Sequence, residues 1–225
     1  MGIIKVDNIS KSYKDNQLYE DAHIEIKEGT TVGIVGPNGS GKSVLFKLIA
    51  GLEPVDSGSI VVRDKLVGKD CDFPQNLGIF VNQPGYIEYY NGFQNLKMLA
   101  EIQGIIDDET IKQYMVRLGL DPSDKTKVKN YSSGMKQKLG IIQAIMENQS
   151  IILLDEPFNA LDFQANRDII MLLQDLKKEK KTIVLTSHQH EYLERLCDEI
   201  YMIINRKIVK FDEEMRGTYF KLFSD

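Results

Sequence analysis

The run Gly36-Pro37-Asn38-Gly39-Ser40-Gly41-Lys42-Ser43 fits the spacing G-x-x-x-x-G-K-[ST]. Glycines at 36, 39 and 41 let the backbone curl until successive N–H groups point inward, which suits phosphate oxygens. A helix opening at Lys42 adds its positive end, with Val44 in its first turn as a further phosphate contact. Lys42 offers a point charge to the β- and γ-phosphates of a nucleotide, and the Ser43 hydroxyl suits a Mg²⁺ ion. A chance glycine-rich turn would need no flanking elements. Here an apolar run, Thr31 to Val35, precedes the motif, and a helical pattern from about Lys42 to Ala50 follows it.

Two carboxylates stand at the end of a second apolar run, Ile151-Ile-Leu-Leu-Asp155-Glu156-Pro157. Asp155 suits the shell of a bound Mg²⁺, and Glu156 suits a general base that polarises an attacking water. Pro157 cannot continue a ladder and helps end the strand. Alone, such a pair reads as an ordinary solvated strand end; downstream of a phosphate cradle it reads as chemistry. Tyr131-Ser132-Ser133-Gly134 opens a helical pattern, and its N–H groups and hydroxyls form either a second anion site or a plain helix cap.

The elements that must hold these residues follow from periodicity. Ile3 to Ile9 and Ala22 to Ile26 alternate apolar with polar residues, as half-buried antiparallel strands do. Gly58 to Val67 predicts a strand or hairpin, and Leu77 to Val81 another strand. Helical spacing then recurs over Phe93 to Gln103, Asp108 to Leu118 (with Asp108 as cap) and Ser133 to Met146. Strand and helix alternate again afterwards. Ile151 to Leu154, Thr182 to Thr186 and Glu199 to Ile204, the last core strand, read as buried strands, and Asp162 to Lys178 and His190 to Leu196 as helices. This alternation predicts an α/β fold with a mostly parallel sheet, an N-terminal antiparallel β subdomain and an inserted α-helical subdomain. The expected division places the core in 1–83 and 150–225 and the helical subdomain in 84–149, within one domain spanning 1–225. Ligands of such sheets bind beyond the carboxyl ends of the strands, where the motifs fall.

Composition narrows the class. A chain of 225 residues with a net charge of -5 lacks the basic balance of a dedicated nucleic-acid binder. No apolar run approaches the roughly 18 residues that cross a bilayer, and the N-terminus lacks a signal-peptide core. Cys71 and Cys197 have no metal-ligand spacing and read as reduced structural thiols. A cytoplasmic protein is expected.

With these motifs in place, the chain resembles the ATP-binding cassette (ABC) ATPases over nearly its whole length. Tyr131 to Gln137 is similar to their signature motif, with Ser133 and Met135 in place of a commoner glycine and glutamine. Asn159-Ala160-Leu161-Asp162 resembles the loop that crosses between subunits, and His188 the histidine that contacts the γ-phosphate. Tyr13 resembles the aromatic residue that stacks on adenine, with Tyr19 as the alternative; His23 and His190 match nothing. Asn82 or Gln83 stands where the family usually carries a Mg²⁺-linked glutamine.

The resemblance implies a P-loop (RecA-like) NTPase core, with ATP and Mg²⁺ as cofactors. It implies catalytic roles for Lys42, Glu156 and His188, and a signature contact, through Ser132, Ser133 and Gly134, to the nucleotide of a second ATP-binding subunit, identical or not. Separate integral-membrane subunits would be its other partners, at the cytoplasmic face of the membrane. Around Pro84 to Leu96 the pattern is similar to bacitracin- and lantibiotic-type exporters, which points to export. Two alternatives stand beside a transport role. A soluble non-transport ABC-type ATPase usually brings a coiled-coil insertion or a second cradle, and neither is present. A nucleotide-sensing module would not need Glu156 and His188.

Overall fold

Four consecutive apolar residues such as Ile151–Leu154 leave no polar face, so the strand they form must be covered on both sides. The computed structural model describes residues 2–14, 16–82 and 85–212 and shows how that is met. In chain order the elements are β1 (Gly2–Tyr13), β2 (Asn16–Lys27), β3 (Thr31–Val35), α1 (Lys42–Ile49), β4 (Ser57–Val62), β5 (Lys65–Leu66) and β6 (Leu77–Phe80). Then follow α2 (Gly92–Gln103), α3 (Asp108–Arg117), α4 (Ser133–Ile145), β7 (Ile151–Leu154), α5 (Phe163–Lys178), β8 (Thr182–Thr186), α6 (His190–Leu196), β9 (Glu199–Ile204) and β10 (Lys207–Lys210).

Strands β9, β3, β8, β7 and β6 lie side by side in that order and pair in parallel, with β10 antiparallel at the β9 edge. A separate antiparallel sheet runs β2-β1-β4-β5. Side chains alternate across β7: Ile152 and Leu154 join the core beneath α2 to α5, while Ile151 and Leu153 join the core shared with α1 and the antiparallel sheet. All four are fully buried, and each such side chain contributes about 1.5–3 kcal/mol by leaving water. Two covered faces explain why the parallel strands read as continuous apolar runs.

Several expectations shift in detail. The cap of α3 is Asp107, whose carboxylate accepts from the Thr110 N–H at 2.8 Å, and Asp108 is the first helical residue. Two adjacent acids can each serve as a cap, and spacing alone favours neither. Strands β1 and β2 each extend over 12 residues, beyond the stretches predicted. Their pairing is interrupted by register shifts, near Asn8 (φ 46°) and Asp21 (φ 45°) among others. Such bulges break the two-residue alternation that a reading by period follows. The strand Glu199–Ile204 is followed by one more, β10, which covers the sheet edge.

Helix α4 lies directly on β6. A Cβ at Gly78 would sit 1.7 Å from the Ala144 carbonyl oxygen, a backbone atom that cannot rotate away. Gly78→Ala should therefore destabilise the chain by about 3 kcal/mol or more, lowering Tm by roughly 6–12 °C. Thermal unfolding checks this, and a Tm within about 2 °C of the wild type would show that α4 can lift without cost.

Candidate active site

The sheet register brings the ends of the parallel strands into line. Phe80 pairs with Leu154, Leu154 with Leu185, and Ile34 with Thr186. The residues just beyond, Asn82, Asp155, Glu156, His188 and the Gly36 turn, therefore emerge at one edge of the sheet. This is the edge where ligands of open α/β sheets bind.

The loop after β3 is shaped for a close approach. Gly36 has φ 153°, and a Cβ there would meet the Ser40 hydroxyl at 2.8 Å and the Ile203 carbonyl at 2.9 Å. Gly41 has φ 103°, and a Cβ there would press on the Tyr19 ring at 3.0–3.1 Å. Gly41 also caps α1 with no side-chain bond. The Leu45 N–H reaches the Gly41 carbonyl at 2.8 Å, so the amides of Lys42, Ser43 and Val44 precede the helical ladder. The Ser40 hydroxyl is buried without a hydrogen-bond partner among the described residues. Unpaired amides, an orphaned hydroxyl and a positive helix end make an anion site. Pro37, Asn38 and Gly39 complete the turn, with Pro37 half-buried and Asn38 and Gly39 exposed.

Lys42 is buried, and its Nζ donates to the Gly36 carbonyl at 2.8 Å and the Pro37 carbonyl at 3.2 Å. Burial lowers its pKa, opposed by the nearby Glu156 and Asp155 carboxylates. Ser43 Oγ donates to Asp155 Oδ2 at 2.5 Å, and Thr186 Oγ1 donates to Asp155 Oδ1 at 2.8 Å. This all-oxygen pair fits a small hard cation such as Mg²⁺, which keeps several waters and takes one or two carboxylates plus phosphate oxygens. Among the described residues no group of three or more His, Cys, Asp or Glu side chains could hold a metal unaided. The pair therefore fits an ion delivered with a nucleotide.

Glu156 is held in a left-handed conformation, φ 49°. Its N–H donates to Thr186 Oγ1 at 2.8 Å, and its carboxylate pairs with His188, with Nε2 to Oε1 at 3.2 Å and the His188 N–H to Oε2 at 3.2 Å. Burial raises the carboxyl pKa, while His188 and Lys42 pull it down. A raised carboxyl pKa moves a base toward neutral pH, as general-base chemistry favours.

The remaining candidates lie around this centre. Ser132 caps α4, its hydroxyl accepting from the Met135 N–H at 3.2 Å, with Ser133 and Gly134 in the first turn. Gly134 faces the 159–162 loop, where a Cβ would come within 3.1 Å of the Ala160 carbonyl. Asp162 caps α5 through the Ala165 N–H at 2.8 Å. Asn82 follows β6 at φ 57°; Gln83 lies outside the described residues.

Tyr13 is 41% exposed and Tyr19 is fully buried. The Tyr19 hydroxyl donates to the Gly41 carbonyl at 2.9 Å, so Tyr19 supports the cradle from beneath and has no free face for a base. The Tyr13 hydroxyl bonds Glu53, which also pairs with Lys47 of α1 at 3.1 Å. Sequence reasoning missed Glu53 and also missed Thr186. The Thr186 signal was present as a hydroxyl ending the apolar run Thr182–Thr186, beside the acidic pair.

A glycine-rich cradle joined through a serine to an acidic strand end, with a carboxylate–histidine pair beside it, defines a P-loop nucleotide hydrolase. The chain belongs to the ABC transporter family, whose model matches residues 19–159, and is an ATP-binding ATPase subunit of that family. It is 37% identical over 196 residues to the uncharacterized ABC transporter ATP-binding protein YybJ of Bacillus subtilis, covering 87% of this chain and 90% of that one. It is 30% identical to the lantibiotic transport ATP-binding protein SrtF of Streptococcus pyogenes, covering 96% and 93%. A solved ATP-binding subunit of an ABC transporter matches with a TM-score of 0.84 at 24% identity, over 96% of this chain and 93% of that one, which supports the fold.

Proposed function

We propose that this chain drives export through separate integral-membrane subunits at the cytoplasmic face of the membrane, by closing with a second ATP-binding subunit around two Mg·ATP. The observation that carries the catalytic part is the contact of Ser43 with Asp155 beside the Glu156–His188 pair. Lys42 and the N–H groups of the 36–44 loop (all but Pro37, which has none) hold the phosphates, while Ser43 and Asp155, with Asn82 or Gln83, would hold Mg²⁺. When bound, that ion neutralises charge developing on the phosphate oxygens. Glu156 takes a proton from the attacking water, and His188 orients its carboxylate and meets the γ-phosphate. Tyr13 stacks on adenine through its apolar ring face. Ser132, Ser133 and Gly134, with Asp162 from the adjoining loop, face the partner's nucleotide. Residues 84–149 act as one helical subdomain on the core formed by 1–83 and 150–225, all within a single domain, 1–225. The name of SrtF, a lantibiotic transport ATP-binding protein, supports a transport role, and no described helix is long and apolar enough to cross a membrane, which fits a need for separate membrane subunits.

Phosphate release from ATP by the purified chain should be lost with EDTA and restored by Mg²⁺. Hydrolysis unchanged by the chelator would contradict the metal assignment. Copurification in detergent of an integral-membrane protein with the tagged chain tests the transport assignment, and its absence from membranes of the native host would count against it.

A further inference from the structure

Gln137 lies four residues beyond Ser133 in α4, and its Nε2 donates to the Glu156 carbonyl oxygen at 2.7 Å. That carbonyl also accepts from the Asn159 N–H at 3.2 Å. A left-handed backbone at a non-glycine residue, as at Glu156 (φ 49°), is strained and persists only where surrounding structure holds it. Thr186 holds the Glu156 peptide from the β8 side, through the N–H at 2.8 Å. Gln137 holds it from the α4 side, through the carbonyl.

We infer that Gln137 is a positioning residue for hydrolysis: its amide fixes the backbone that presents the Glu156 carboxylate, and so ties the placement of the base to the position of α4. The inference rests on the proposed role of Glu156 as base. It adds a physical link between two parts of the site. The helix whose first turn faces the partner's nucleotide in the proposed dimer also steers the base acting on this chain's own nucleotide. A shift of α4 moves the donor, and a misplacement of about 1 Å can cost roughly 100-fold in rate.

Gln137→Met keeps length and volume but removes the donor, and Gln137→Lys keeps a donor of similar reach. With the full chain, Gln137→Met should lower kcat roughly 10- to 100-fold while the Kd for ATP stays within about twofold and Tm is little changed. Gln137→Lys should recover most of the loss. Should the thioether not be accommodated, Gln137→Ala repeats the measurement with a shorter side chain. A kcat for Gln137→Met within about twofold of the wild type, or a folded Gln137→Lys as slow as Gln137→Met, overturns the inference. Glu156→Gln run alongside separates the two levels. If it turns over normally, the base assignment falls and this inference with it; if it is inactive while Gln137→Met is fast, only the positioning role falls.

Discussion

Glu156→Gln is expected to bind Mg·ATP with nearly unchanged affinity and to turn it over roughly 10² to 10⁴ times more slowly, the usual range for a lost general base. The amide keeps the shape of the carboxylate but cannot take a proton from water. Binding should survive because, in the proposed site, Lys42 and the N–H groups of the 36–44 loop hold the phosphates independently of Glu156. In the wild type, the turnover rate should fall with acid at a pH above the ordinary carboxylate range, since burial raises the Glu156 pKa. The stability effect has the opposite sign. A carboxyl whose pKa is raised on folding binds its proton more tightly in the folded state, so its ionisation lowers stability as pH rises through the folded value. Glu156→Gln should therefore be more stable than the wild type above that pH, by a margin that grows from the ordinary carboxylate range up to the folded value and is absent only below that range. Turnover and urea midpoints measured across pH check both statements, and near-normal turnover by the variant would refute the assignment.

Lys42→Ala is the second large effect and acts mainly on binding. The ammonium is buried and donates to the Gly36 and Pro37 carbonyls, atoms of the loop proposed to curl around the phosphates. A charge-assisted hydrogen bond contributes about 1.5–3 kcal/mol, so ATP affinity should fall roughly 10- to 150-fold, and turnover with it. Equilibrium binding of a fluorescent ATP analogue measures the first. Comparing Tm without nucleotide separates loss of the ligand contact from loss of the loop bonds. Affinity within about threefold of the wild type would mean that the amides alone hold the phosphates.

Much of this site could be read before the structure, because its parts sit at the ends of doubly buried strands. Thr31–Val35, Ile151–Leu154 and Thr182–Thr186 are apolar over most of their length since both faces are covered, and the residues following each run fall at the same sheet edge. The antiparallel strands were harder to read. Bulges near Asn8 and Asp21 interrupt the alternation, so only the regular stretches stood out. Tyr13 stands ahead of Tyr19 as the ring for a base because Tyr19 lies closer to the next strand, and burial leaves Tyr19 without an open face. Gln137 was hidden for another reason. Its partner is a main-chain carbonyl 19 positions away, and main-chain acceptors carry no residue-type signal.

The most direct test of the account is a crystal structure of Glu156→Gln with Mn·ATP, the metal located by its anomalous signal. The metal is predicted to be bound by Ser43 Oγ and on the Asp155 side of the phosphates, with Lys42 Nζ transferred from the Gly36 and Pro37 carbonyls to phosphate oxygens. Nucleotide bound elsewhere, or Lys42 still on those two carbonyls with the metal away from Asp155, would contradict it.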